Sequence, residues 1–224
     1  AREPVMADFA SSYETLLLRR ERSRLYVTLN RPEVKNALNP TLIGELREVF
    51  TILRERRDIK AVILRGAGGT FCAGADLKNM EKSFSEPPKP GERDPIALNN
   101  REYGTFLEMV NVAARIGVPQ TRHLALTAAR FKGPEALRLG IVHYLVKDAA
   151  GLDAKLEEVL KQVDRCAPLA NALTKAVVMK VGTEPLSAVL DFAADRFAEA
   201  RRSPEAAEGL RAFAEKRPPK WATE

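Results

Sequence analysis

Residues 70–78 read Thr-Phe-Cys-Ala-Gly-Ala-Asp-Leu-Lys and follow the apolar run Ala61-Val62-Ile63-Leu64. The run predicts a short strand buried on both faces. Gly66, Gly68, Gly69 and Gly74 predict a turn after it, and a helix-like segment begins near Asp76. A strand ending in such a turn can aim backbone N–H groups into a cleft, where they hold a carbonyl oxygen as it takes on negative charge. That chemistry needs no side-chain nucleophile. The plainer reading is a tight strand-to-helix connection. Other chemistries have less to stand on. His123 and His143 are the only histidines, and neither sits at a metal-ligand spacing, so no metal is expected. Cys72 and Cys166 make no disulfide framework and suit a reducing compartment.

The rest of the chain must position that turn. With 224 residues, 45% of them apolar, it can fold as one large domain or a domain with an appendage. No apolar run approaches the length of a bilayer span, and Ala1-Arg2-Glu3-Pro4 lacks the apolar core of a signal peptide. A cytoplasmic protein with no membrane partner is the expectation. The net charge is +6, but cations alternate with acids, as in Arg54-Glu55-Arg56-Arg57-Asp58. That pattern reads as a mixed solvated surface and not as a nucleic-acid groove. A local excess of Lys and Arg would suit an anionic small molecule.

Tyr13–Arg20 and Leu25–Leu29 predict two strands of a hairpin. Asn39 and Pro40 predict the cap and first turn of an amphipathic helix over 40–57, and strand, helix and strand in that order predict a βαβ crossover. Ser83–Pro95 reads as a Pro-rich loop, and Ile96–Val110 returns to helical spacing. Two short helices, Gln120–Ala129 and Pro134–Leu139, precede a short strand over Ile141–Val146. Four helices follow, over 152–166, 169–181, 185–202 and 204–216, and Arg217–Trp221 leaves the last of them as a tail. The chain is thus α/β in front and all-α behind.

Four stretches, in order, resemble the enoyl-CoA hydratase/isomerase (crotonase) superfamily. They are Asn30-Arg31-Pro32-Glu33-Val34-Lys35-Asn36-Ala37-Leu38, Phe71 to Lys78, Phe131-Lys132-Gly133-Pro134-Glu135-Ala136-Leu137-Arg138-Leu139-Gly140-Ile141-Val142, and Glu208 to Arg217. The resemblance implies the crotonase (ClpP-like) fold, a spiral of βαβ units followed by an all-α region. It divides the chain into an N-terminal core, 1–118, and a helical region, 119–224, that serves oligomerisation and CoA contacts. It departs from the family after Val110-Asn111. Members place further βαβ units there, with a Gly-Gly-Gly turn, a Phe-Gly-x-Pro-Glu motif and one or two catalytic glutamates. A βαβ unit needs roughly 30 residues, and Val112-Ala113-Ala114-Arg115-Ile116-Gly117 follows at once. A central segment is therefore missing near Asn111/Val112, by omission or by deletion, with a smaller break at Pro119-Gln120.

The resemblance implies an acyl-CoA thioester held by two backbone N–H groups, one of them on Ala75. The CoA moiety would meet Ala73, Gly74, Ala75, Asp76, Leu77 and Lys78 at the turn, with Lys35 and Lys78 near its phosphates. Phe197 and Lys216 would touch it from the C-terminal helices of a neighbouring subunit, in a homotrimer or dimer of trimers. No cofactor is implied beyond CoA as part of the substrate. Hydration of a 2-enoyl-CoA is the leading activity, and the sequence around Arg165-Cys166-Ala167-Pro168 is similar to hydratases of branched or glutaconyl-type CoA esters. Isomerisation, thioester hydrolysis, C–C cleavage and non-catalytic CoA or RNA binding remain open on the same scaffold. Gly133-Pro134-Glu135 imitates the family's Pro-Glu motif, but helix-start chemistry explains it, and Glu135 is not expected to be catalytic.

Overall fold

A strand that alternates Leu25, Val27 and Leu29 with Tyr26 must bury two faces differently. The structure, a computed structural model, describes residue 9 and residues 12–56, 58–76, 89–91 and 112–222. In it the expected hairpin forms: β1 (Leu16–Glu21) pairs antiparallel with β2 (Arg24–Leu29), from Leu16↔Leu29 to Glu21↔Arg24. Leu25, Val27 and Leu29 pack with Leu16 and with Leu42 and Val49 of α1 (Pro40–Glu55). The helix starts where its cap predicts, with the Asn39 side chain accepting the Leu42 N–H at 2.9 Å. Glu45 holds α1 to the approach of β1 by accepting the N–H groups of Glu14 (2.6 Å) and Thr15 (3.0 Å).

β3 (Ala61–Gly66) runs parallel to β2, which completes the βαβ unit, and the order is β1-β2-β3 among the described residues. Here the structure corrects the sequence reading. Ile63 is buried with Tyr26 and Leu160, whereas Val62 and Leu64 are 38% and 39% exposed. They share a face with Leu25 and Val27 but stand on the outer strand, beyond the buried cluster under α1. A continuous apolar run does not reveal that its strand is an outer one among the described residues.

The chain forms two compact units: Ala1–Gly74 with Lys155–Glu224, and Ala75–Ala154. In the second, residues 112–116 are helical, and α2 (Val118–Thr127) and α3 (Gly133–Arg138) are the two short helices expected. The strand expected over Ile141–Val146 does not form. Its first amides close α3 instead: the Gly140 N–H reaches Leu137 O at 3.0 Å and the Ile141 N–H reaches Ala136 O at 2.9 Å. This is a Schellman end, with Gly140 in the left-handed region at φ +78°. Val142, Tyr144 and Leu145 are exposed beyond it. The expected loop over Ser83–Pro95, except for 89–91, and the helix over Ile96–Val110 lie outside the described residues.

α4 (Ala149–Arg165) leads back into the first unit, where α5 (Pro168–Val178), α6 (Leu186–Arg202) and α7 (Pro204–Ala214) follow. Glu157 and Asp164, seven residues apart, lie on one face of α4. Both grip the Arg24 guanidinium at the start of β2, at 3.0 and 2.9 Å. The tail leaves α7 as expected. Glu208 accepts Arg217 Nη1 at 2.7 Å and the Lys220 N–H at 3.1 Å, and the Trp221 indole donates to Arg165 O at 3.2 Å.

This clamp yields a pH prediction. The Arg217 hydrogen bond, with the Lys220 N–H, holds the Glu208 carboxyl down at about 2, against 4.5 ordinarily. A carboxyl depressed in the folded state contributes stability that is complete above about 4.5 and is lost as pH falls to about 2. Trp221 is the only tryptophan and its ring sits against Gly209. Its emission is expected to change across that window, and Glu208→Gln is expected to give the released spectrum already at neutral pH.

Candidate active site

The loop that precedes α1 and the turn that follows β3 are far apart in sequence and must be joined by something. Asn36 joins them. It is fully buried, in the left-handed region at φ +56°. Its Oδ1 accepts the Arg31 N–H at 2.9 Å, and its Nδ2 donates to Ala67 O at 2.9 Å and to Thr70 O at 2.7 Å. Every polar atom of a buried amide is thereby satisfied by backbone. Two residues on, the Leu38 N–H donates to Gly74 O at 2.8 Å. In the sequence Asn36 appears only within the stretch Asn30–Leu38 that resembles the family, without a task of its own. The one available signal was an asparagine where a tight loop needs a left-handed residue.

The turn has little room. A Cβ on Gly66 would overlap the carbonyl oxygens of Thr70 and Phe71, so the chain folds back onto β3 only because residue 66 is glycine. Gly74 holds φ +92°, and its N–H points at Cys72 Sγ, 3.4 Å away. Cys72 is half-buried against the apolar core. With its carbonyl on Leu38 and its amide on Cys72, Gly74 is held from both sides. The next residue, Ala75, is exposed, and its N–H meets no acceptor among the described residues. An amide fixed in place and left open is what a developing oxyanion requires.

Lys35 is exposed at φ +53°, beside Asn36 and at the end of the 3-10 turn Pro32–Val34. Ala73 is exposed and Asp76 half-buried, while Leu77 and Lys78 lie outside the described residues. The structure thus ties the loop that carries Lys35 to the turn that carries Ala73 and Gly74, through Asn36 and Leu38. Phe197, on α6, is 71% exposed. Lys216 ends α7 in a second Schellman arrangement: its N–H reaches Phe213 O at 3.2 Å and the Arg217 N–H reaches Ala212 O at 3.0 Å. Neither Phe197 nor Lys216 is bonded to the turn among the described residues.

Lys216 occupies at φ +52° the place that glycine usually takes. Lys216→Gly is expected to stabilise the protein by about 1 kcal/mol, because a left-handed β-carbon costs roughly that. A chemical denaturation curve checks it. Glu135 is paired within its own helix, α3. Arg138 donates to both its oxygens, at 2.7 and 2.6 Å, and this pairing pulls its carboxyl below the ordinary carboxylate range. No group of three or more His, Cys, Asp or Glu side chains gathers among the described residues. No described helix is long and apolar enough to cross a membrane.

A βαβ unit ending in a glycine turn, with helices after it among the described residues, defines an α/β protein. The family model for enoyl-CoA hydratase/isomerase matches residues 19–92 and 90–224. The chain belongs to that family, within the crotonase superfamily, and has its fold. The (E)-benzylidenesuccinyl-CoA hydratase of Thauera aromatica is 28% identical over 240 residues, covering 87% of this chain and 93% of that protein. The short-chain-enoyl-CoA hydratase of Clostridium acetobutylicum is 27% identical, over 90% of this chain and 95% of the relative. Among solved structures, an enoyl-CoA hydratase/isomerase from Marinobacter aquaeolei superposes with a TM-score of 0.87 at 34% identity, covering 94% of this chain and 100% of that one. Pseudomonas aeruginosa AtuE does so at 0.86 and 38% identity, with the same coverage.

Proposed function

We propose that this protein binds an acyl-CoA and hydrates a 2-enoyl-CoA to the 3-hydroxyacyl-CoA. The observation that supports it is the open Ala75 amide behind a doubly held Gly74, on a chain that matches the hydratase/isomerase family from residue 19 to 224. Water adds across the C2–C3 double bond: its oxygen bonds to C3, and a proton goes to C2. Between those events the thioester is an enolate, and the Ala75 N–H stabilises its oxygen. The reaction is redox-neutral, so it calls for no redox cofactor, and CoA enters as part of the substrate. The chain around Ala73–Lys78 receives the adenine, and Lys35 and Lys78 face the phosphates. Phe197 and Lys216 reach the CoA of a neighbouring subunit in a trimer or dimer of trimers. On this reading Lys216→Gly weakens CoA binding about tenfold, one charge-assisted hydrogen bond, while stabilising the fold.

One observation favours a second reading. The sequence contains neither a Gly-Gly-Gly turn nor a Phe-Gly-x-Pro-Glu motif, the places where the family resemblance puts the second oxyanion donor and the acid/base groups. A chain without them would bind CoA thioesters and not turn them over. Loss of crotonyl-CoA absorbance on adding the protein supports hydration. Saturable CoA binding with no turnover of short, long or branched enoyl-CoAs selects the binding reading instead. A stable monomer on gel filtration contradicts the inter-subunit roles of Phe197 and Lys216.

A further inference from the structure

Away from the glycine turn, the first unit has a cleft of about 640 Å³ at the other end of β3. Its cations come from separate elements: Arg54 from the last turns of α1, Arg56 from the connection after it, Lys60 from the approach to β3, and Lys175 from α5. No carboxylate is among its described lining residues. Asp58, outside the lining, binds Arg56 at 2.6 Å and also pairs with Arg20 at 2.9 Å. Lys60 donates to a neutral acceptor, Trp221 O at 2.8 Å, so its charge is not cancelled there. Lys175 is exposed and has no ion-pair partner among the described residues. Glu205 takes the Leu169 N–H at 2.9 Å, so side chains rather than the end of α5 supply the charge. Phe50 and Val62, both partly exposed, add an apolar wall.

Two lysines that meet no carboxylate among the described residues, beside an exposed ring, in a cavity of ligand size, fit a multiply charged anion carrying a flat apolar group. We infer that this cleft binds a phosphate-bearing small molecule of nucleotide size, separately from the glycine turn. Its phosphates lie on Lys60 and Lys175 and its ring on Phe50. A free nucleotide and the phosphoadenosine end of CoA share this chemistry.

Calorimetric titration of the whole protein with ADP, inorganic pyrophosphate and CoA tests it. ADP is expected to bind saturably, and more weakly as salt rises. Lys175→Glu is expected to weaken ADP and pyrophosphate by about tenfold or more, with the melting temperature unchanged. Lys60→Gln acts in the same direction, and if releasing Trp221 unfolds it, Lys175→Glu alone decides. Lys35→Gln leaves ADP binding intact. A second equivalent of CoA that Lys175→Glu removes identifies CoA as the source of the phosphate; ADP binding without one identifies a free nucleotide. The inference is overturned by an absence of saturable ADP binding, by wild-type affinity in Lys175→Glu, or by ADP binding that Lys35→Gln abolishes. None of these outcomes depends on whether the protein hydrates enoyl-CoA.

Discussion

Replacing Ala75 by proline is expected to lower kcat on crotonyl-CoA by a factor of about 10²–10³, the cost of one oxyanion donor, on the order of 3 kcal/mol. Replacing it by serine is expected to change kcat only a few-fold. The contrast follows from which atom works. Proline removes the amide hydrogen, whereas serine keeps it and alters only an exposed methyl. If the side chain were the active part, both changes would matter. If the turn were merely structural, proline would lower the melting temperature and leave the kcat of the folded fraction intact. Measuring kcat beside a melting curve separates these cases. Where the chain binds without turnover, the same contrast is read in the affinity for a thioester that presents an oxyanion.

The second large effect is expected at Asn36. Asn36→Asp exchanges the Nδ2 donor for an oxygen that faces Ala67 O and Thr70 O, both within 3 Å of it. Two hydrogen bonds are lost and a charge is left buried among carbonyls, so about 3 kcal/mol or more of stability should go. Asn36→Gln keeps the chemistry but must fit an extra methylene into a site with no exposed surface and is expected to cost about 1–3 kcal/mol. Thermal or urea unfolding at neutral pH measures both. Asn36→Asp melting within a degree or two of wild type would contradict this role of Asn36. Asn36 is a positioning residue: its loss should loosen the turn and lower kcat in step with the fold, and Asn36→Gln should do so without a new pH dependence of its own.

Where the governing interactions were local, the sequence showed the fold. Alternation over Leu25–Leu29 predicted β2, and Asn39-Pro40 predicted the start of α1 to the residue, because a cap and its helix lie within three positions of each other. The glycine turn was legible because close backbone packing leaves few other choices at Gly66. The strand expected over Ile141–Val146 was misread because apolar residues crowd that stretch while its first amides are engaged in closing α3. The apolar run of β3 gave no sign that Val62 and Leu64 would be partly exposed, since neighbours in a sheet are not written in the strand. Asn36 was invisible for a similar reason: the carbonyls it holds lie 31 and 34 residues away. The turn was therefore easier to read than the bond that keeps it in place.

On the proposed function, the Ala75 amide hydrogen-bonds the oxygen of a bound thioester. Isotope-edited infrared difference spectroscopy of a saturated acyl-CoA labelled at its thioester carbonyl reads that bond directly and needs no turnover. The carbonyl band is expected to move to lower frequency on binding to wild type and to Ala75→Ser, and to stay near its solution position in bound Ala75→Pro. A fully bound ligand whose carbonyl band is the same in wild type and Ala75→Pro would contradict the account.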